Sequence, residues 1–362
     1  MAQGFASWGN DLYTGRRSYN IVGRRSRYFW VSAALVVASI VIFFVQGFNL
    51  GIEFRGGSEF TVTGTSTVSQ SVATDAVHSV APGEEPRVSS VGSNAVRVQT
   101  SELTDAQVTE VRDALAKAYG VTADEVNSSF IGPTWGSDVS KKALQGLIVF
   151  VILVSVVMTL YFRAWRMALA AVIALVHDLV ITAGVYALIG WEITPATVIG
   201  FLTILGYSIY DTVVVFDKVR ENTAGITEQS RVTYAEQANL AVNQTLVRSI
   251  NTSVVALLPV GSILFVGAFL LGAGTLRDIA LALFVGMGVG AYSSIYLATP
   301  LEVWLRTKEP KVKAHTAKVL ARRAAAGTED EEALVGAAAE GARQLKPGQH
   351  LGQTAQPRRG KR

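Results

Sequence analysis

The chain has 362 residues, 50% hydrophobic and only 17% charged, with a mean hydropathy of +0.34. That balance excludes an ordinary water-soluble protein of this size and places the chain in the membrane class. The formal net charge is +4, and the absence of cysteine removes disulfides, thiolate nucleophiles and Cys-ligated metals from consideration.

Residues 1–27 form a short segment with Arg16, Arg17, Arg24, Arg25 and Arg27 near its end. The apolar run Tyr28 to Phe48 follows. It is longer than the ~7 to 15 residues of a cleaved signal core and lacks a clean small-residue cleavage site, so it reads as a retained first span, residues 28–48. Residues 49–142 alternate strand-like and helix-like stretches. "EFTVTG" predicts a strand, "TVSQSVATDAVHSV" a helix, and "PRVSSVG" and "NAVRVQT" two strands about a Gly-Ser-Asn turn. "LTDAQVTEVRDALAKAYG" predicts a helix with Thr104 as N-cap, Gln107 completing a capping box and Gly120 as C-cap. "EVNSSFIGP" closes the set as a strand, and the order βαββαβ predicts a small ferredoxin-like α+β domain. His78 has no His, Glu or Asp at ligand spacing, so no metal is predicted there.

Within residues 143–301 five further apolar runs of about 20 residues follow, each long enough to cross a bilayer. They are Ala143 to Phe162, Met167 to Ile189, Thr194 to Phe216, Ser249 to Leu271 and Ile279 to Leu301. Short loops rich in Lys and Arg face the cytoplasm. Those loops are the N-terminal segment, the link Arg163 to Arg166, and the loop 217–248 with Lys218, Arg220, Arg231 and Arg248. Both termini are therefore predicted inside and 49–142 outside. The loop 217–248 contains "TYAEQANLAVNQTLVRS", predicted as an interfacial helix that turns into the fifth span. Residues 302–362 combine Lys, Arg, Ala and Gly with an acidic run, Glu329 to Glu332, and are predicted to be a disordered tail.

An ionised side chain in hydrocarbon costs about 2.5 to 3.5 kcal/mol on insertion scales, so a carboxylate kept there has a partner or a task. Asp211 lies in the fourth apolar run. On a helix Thr203, Tyr207 and Asp211 recur every four residues, and Lys218 returns to that side. Asp211 either reaches water at the span end or is held deeper. Arg248, Asn251 and Thr252 share a face at the start of the fifth run; Arg248 either snorkels to headgroups or pairs with Asp211. His177 and Asp178 sit near the middle of the third run, as a proton relay or as a helix–helix hydrogen bond. Gly286, Gly290, Ser293 and Ser294 in the sixth run read as a close-packing face. With no Gly-rich loop ending in Gly-Lys-Ser/Thr, energy from ATP by a P-loop is not predicted.

Five stretches in order resemble the SecF family. They are "FRGG" (Phe54, Arg55, Gly56, Gly57), "HD" at His177 and Asp178, "GYSIYDTVVVFDKVREN" from Gly206, "YAEQANLAVNQTLVRS" from Tyr234 and "YSSIY" from Tyr292. The family is the smaller side of the SecD/SecF export proteins, related to the RND superfamily, and the resemblance covers roughly Tyr28 to Trp304. It implies an α-helical polytopic membrane protein with six transmembrane helices, half of an RND-type bundle, in the plasma membrane of a bacterium. It implies SecD, the SecYEG translocon, SecA, YidC and YajC as partners, a translocating preprotein as cargo, protons as coupling ion with no cofactor, and no enzymatic activity of its own. By the same resemblance Asp211 stands at the proton-carrying carboxylate and Arg248 at the facing arginine. Tyr210 stands where the family usually has Asn, and Glu53 where it usually has Asp before the FxGG motif. The alternative is an RND-like exporter of lipids or small molecules, which predicts two six-span halves and large porter domains in one chain.

Overall fold

The computed structural model describes residues 2–91, 94–270 and 274–326. Among them, six helices are long and apolar enough to cross a membrane: Arg25–Gln46, Thr134–Phe162, Trp165–Ile189, Pro195–Glu228, Tyr234–Val266 and Asp278–Arg306. In chain order the elements begin with α1 (Ala2–Tyr13) and α2 (Arg25–Gln46), then β1 (Asn49–Leu50) and a single helical turn, α3 (Ile52–Arg55). The sheet domain follows as β2 (Gly57–Val62), α4 (Gln70–Val80), β3 (Arg87–Val91), β4 (Ala95–Thr100), α5 (Asp105–Tyr119) and β5 (Val126–Ile131). After it come α6 (Pro133–Phe162), α7 (Trp165–Ile189), β6 (Glu192–Ile193), α8 (Pro195–Asn222), α9 (Tyr234–Ser262), α10 (Gly274–Ser293), α11 (Thr299–Arg306) and α12 (Pro310–Ala326).

The chain divides into two compact units, one of residues 1–25, 214–248 and 299–362, the other of residues 26–213 and 249–298. The larger unit holds the sheet domain. Its strands lie in the order β3-β4-β2-β5, all antiparallel, which is the ferredoxin-like arrangement of βαββαβ. Phe60, Val62, Val96 and Val98 point to one face, where Ala73 and Val77 of α4 and Val111 and Leu115 of α5 complete a buried core. Helix α5 starts where its sequence says: Thr104 Oγ1 accepts from Gln107 N, Gln107 Oε1 accepts from Thr104 N, and Gly120 closes the helix in the left-handed region. Gly92 and Ser93 of the predicted hairpin turn lie outside the described residues.

Two helices differ from their predicted bounds. Pro133 at the first helical position opens α6 well before the apolar run that begins at Ala143, so the helix begins inside the predicted loop domain. Helix α9 starts at a capping box made by Thr233 and Glu236 and meets no breaker before Pro259. The predicted interfacial helix is therefore the first part of one continuous helix rather than a separate element. It passes into a π-helical stretch, Ile263–Leu270, after Pro259.

The smaller unit orders the N-terminal segment. Asn239 Oδ1 accepts from Ile21 N and Val22 N, at 2.9 and 3.0 Å, and Asn243 Oδ1 accepts from Tyr19 N at 2.7 Å. The predicted disordered tail is corrected up to residue 326: α11 and α12 are helices. Composition hid a stripe on α12, where Val312, His315 and Val319 are buried at helical spacing. His315 Nε2 meets Gln229 O at 2.8 Å, and Arg323 holds both carboxylate oxygens of Glu236. The rest of the tail, with the acidic run, lies outside the described residues.

Candidate functional site

Small residues bring α8 and α10 together in register. A Cβ on Gly200 would stand 2.8 Å from Ala282 Cβ; one on Gly286 would stand 3.0 Å from Ile204 Cβ; one on Gly290 would stand 3.1 Å from Ser208 Cβ. This ladder advances about one turn per rung on both helices, and its next rung is polar. Ser294, which opens the π-helical turn Ser294–Ala298 after α10, donates to Asp211 Oδ2 at 2.5 Å. Ser249 of α9 donates to Asp211 Oδ1 at 2.8 Å. Asp211 is only 4% exposed, so of the two sequence-based alternatives the deeper one holds.

Asp178 on α7 forms a second, adjoining set. Ser208 of α8 and Ser293 of α10 both donate to its Oδ2, at 2.6 and 2.8 Å, and His177 Nδ1 lies 3.0 Å from its Oδ1. Two consecutive serines of one helix thus serve two buried carboxylates on two others. His177 and Asp178 pair with each other, and Asp178 is also bonded across helices to Ser208 and Ser293, which is the predicted helix–helix hydrogen bond. The His177 ring stacks on Tyr292 with centroids 6.4 Å apart, while its Nε2 is buried with no hydrogen-bond partner among the described residues. The "YSSIY" stretch divides its labour accordingly. Tyr292 and Tyr296 stack on one another, and Tyr296 lies against Tyr28, while Ser293 and Ser294 turn to the acids.

Serine suits this position chemically. Its hydroxyl donates to a carboxylate, and after a half-turn of the O–H its lone pairs accept from a carboxylic acid. The same side chains therefore satisfy Asp178 and Asp211 with or without a proton, which an ammonium, having donors only, would not do.

The remaining predicted residues divide between inside and outside the cluster. Tyr207 is half-buried one turn before Asp211, whereas Thr203 and Tyr210 are exposed, so the predicted polar stripe is not one continuous buried face. On α9 Arg248, Asn251 and Thr252 share a helical face as predicted, with Asn251 exposed, and the buried residues at this level are Ser249 and Ser253. Arg248 and Lys218 belong to the smaller unit; Arg248 is exposed, and Lys218 Nζ bonds Glu221 Oε1 at 2.9 Å. Ser293 and Ser294, predicted to be packing residues, are hydrogen-bond donors of the cluster. Ser208 and Ser249 were not singled out, although Ser249 and Ser253 stand four apart.

The Gly-Gly motif acts through the backbone. Gly56 and Gly57 have φ of 79° and 127°, and a Cβ on Gly57 would fall 2.3 Å from Thr100 O. Gly136 lets α6 pass close to the same turn, with its would-be Cβ 2.8 Å from Phe54 O. Phe54 packs beside Tyr186 and Ile193. The motif turns the chain from the first span into β2, and a cavity of about 580 Å³ opens beside it, lined in part by Arg55, Glu84 and Arg87.

Comparison with known proteins matches residues 110–308 to the family described as protein export membrane protein SecD/SecF, C-terminal, and residues 41–68 to the SecD/SecF GG motif. The protein translocase subunit SecF of Streptomyces coelicolor is 48% identical over 335 residues, 92% of this chain and 89% of that protein. The protein translocase subunit SecDF of Thermus thermophilus is 33% identical over 79% of this chain and 38% of its own length. The crystal structure of SecDF from Thermus thermophilus, a translocon-associated membrane protein, superposes with a TM-score of 0.72 at 32% identity. The alignment covers 81% of this chain and 39% of that one, so this chain spans about two fifths of the SecDF polypeptide.

Proposed function

The chain belongs to the SecD/SecF family of protein-export membrane proteins, and on that footing we propose that it is a proton-coupled subunit that works together with SecD. Its place in protein translocation follows from the family, as does its multi-pass membrane character. The relatives in which SecD and SecF form one polypeptide support a SecD-type partner. In this reading the protein sits in the bacterial plasma membrane with both termini in the cytoplasm and the sheet domain outside. It assists SecYEG and SecA, with YidC and YajC as further partners, and carries out no covalent chemistry.

The observation that carries the reading is Asp211, buried among apolar helices and held by the hydroxyls of Ser249 and Ser294, which tolerate either protonation state. A proton crossing the membrane field yields about 2.3 kcal/mol per 100 mV, and a buried carboxylate is a means of collecting it. Asp211 takes the proton from one side and gives it to the other as the helices rearrange, with Arg248 as the cation that trades places with the proton. His177 and Asp178 extend the path, while Tyr207, Tyr210, Lys218, Asn251 and Thr252 shape its surroundings. Protonation biases two arrangements of the helices, and the sheet domain moves with them to hold or release an emerging chain.

The test is purification of the tagged chain from its native membranes, followed by mass spectrometry. A SecD-type protein in near-equal amount is expected, and it should remain when Arg248 is replaced by Met while gradient-driven export is lost. A well-behaved chain with no such partner contradicts the reading.

A further inference from the structure

A second charged cluster lies away from Asp211, where the sheet domain meets the short link between α7 and α8. Strand β6 in that link pairs in parallel with β1, Asn49 opposite Glu192 and Leu50 opposite Ile193. Gly51 N adds a bond to Ile193 O at 3.0 Å, and Asn49 Nδ2 one to Gly190 O at 3.1 Å. Above this bridge the Glu192 carboxylate is met from β4. Arg97 Nη1 lies 3.2 Å from Glu192 Oε2, and Gln99 Nε2 donates to the same oxygen at 3.1 Å. Both side chains also hold Glu59 of β2, Arg97 Nε at 3.6 Å and Gln99 Nε2 at 2.9 Å. Glu192 is 8% exposed and Gln99 5%.

Glu59 and Glu192 thus share one guanidinium, that of Arg97, and one amide, that of Gln99. The crowding is felt by Glu53, whose pKa is raised by burial and then by Glu59 and Glu192, against the pull of Arg97. A set of partly buried charges of this kind is a poor device for plain stability, because buried ion pairs seldom gain more than apolar packing would. Its position supplies a different reason. Glu192 stands three residues before Pro195, the first residue of α8, and α8 carries Asp211. Strand β4 is an interior strand of the four.

We propose that Arg97, Gln99 and Glu192, with the β1–β6 bridge, form a rigid strut that ties the sheet domain to the near end of α8. These are positioning residues: they touch neither proton nor cargo, and they make a displacement of α8 a displacement of the domain. This rests on the reading of Asp211 as the proton site.

Because the chain has no native cysteine, Leu50→Cys with Ile193→Cys can be oxidised to a single disulfide across the bridge. Paired strands lie about 4.8 Å apart, within the Cα separation a disulfide accepts. Each variant is assayed in the full complex in inverted vesicles for gradient-driven completion of preprotein translocation. A rigid strut predicts that the oxidised pair keeps the response. Arg97→Met and the milder Glu192→Gln lose it with the complex still assembled. Oxidising the pair in either of these backgrounds restores it, since a covalent tie replaces the ionic one. Formation of the disulfide also reports that β1 and β6 still meet. Loss of the response in the oxidised pair alone, an unchanged response in both charge variants, or failure of the disulfide to rescue them overturns the strut. If the strut variants behave as expected while Asp211→Asn responds normally, the strut stands and the proton site lies elsewhere.

Discussion

Replacing Gly286 by Ala tests whether the approach of α8 and α10 is what sets the acid–serine contacts. The new Cβ would lie 2.2 Å from Ile204 Cδ1, 2.9 Å from Cγ2 and 3.0 Å from Cβ. A rotamer change can move Cδ1, but Ile204 Cβ is fixed to the backbone. Ordinary carbon contacts begin near ~3.5 Å, so the helices must part by about 0.5 Å or more at this rung. Overpacking of this kind costs about 1–3 kcal/mol. Ser294 is eight residues further on, about 12 Å along the helix, and its bond to Asp211 is 2.5 Å long. An opening of about 0.5 Å there would stretch that bond to about 3.0 Å, the outer end of the usual O–H···O range. Gly288 offers a control two residues away, with nothing within 4 Å of its would-be Cβ. Gly286→Ala should lower the thermal midpoint of the purified complex and remove most gradient-driven export, whereas Gly288→Ala should do neither. Adding Ile204→Ala, which removes two of the three contacting atoms, should recover part of the loss. Equal behaviour of the two glycine variants would refute the idea that this ladder positions the site.

Gly57→Ala should cripple the sheet domain, because φ of 127° disfavours any side chain and the Cβ would strike Thr100 O; limited proteolysis of the complex should find the domain newly sensitive. Glu53 gives a pH-dependent result. Its folded pKa is raised above the unfolded 4.5, so the folded form binds more protons between the two values and loses stability as pH rises through that window. Glu53→Gln should therefore raise the thermal midpoint at neutral pH and leave it unchanged below the unfolded value. A midpoint unchanged at neutral pH would show that burial of Glu53 carries no penalty.

The six spans were legible because each is an apolar run of membrane length, and the sheet domain because its helices and strands switch period at clear turns. Thr104, Gln107 and Gly120 were legible individually, since caps act over a few residues. The site was legible only in its acids. A carboxylate in an apolar run announces itself, but Ser293 and Ser294 look like any small residues of a packed helix, and their partners lie 115 and 83 positions away in the chain. The buried face of α9 was not legible, because Ser249 and Ser253 are small polar residues with no pattern of their own beside Arg248. Helix α12 was missed because Lys, Arg and Ala outweighed three buried positions in a composition argument.

The central claim is that Asp211 carries the proton that drives export. Asp211→Asn keeps the shape and nearly all the hydrogen-bonding capacity of the side chain but cannot titrate. The most direct measurement is completion of preprotein translocation in inverted vesicles with and without a proton gradient, for wild type and Asp211→Asn, with complex assembly checked in the same membranes. If Asp211 is the proton carrier, the mutant complex assembles, initiates translocation on ATP and gains nothing from the gradient. A mutant that responds to the gradient as fully as wild type would contradict it and move the search to Asp178.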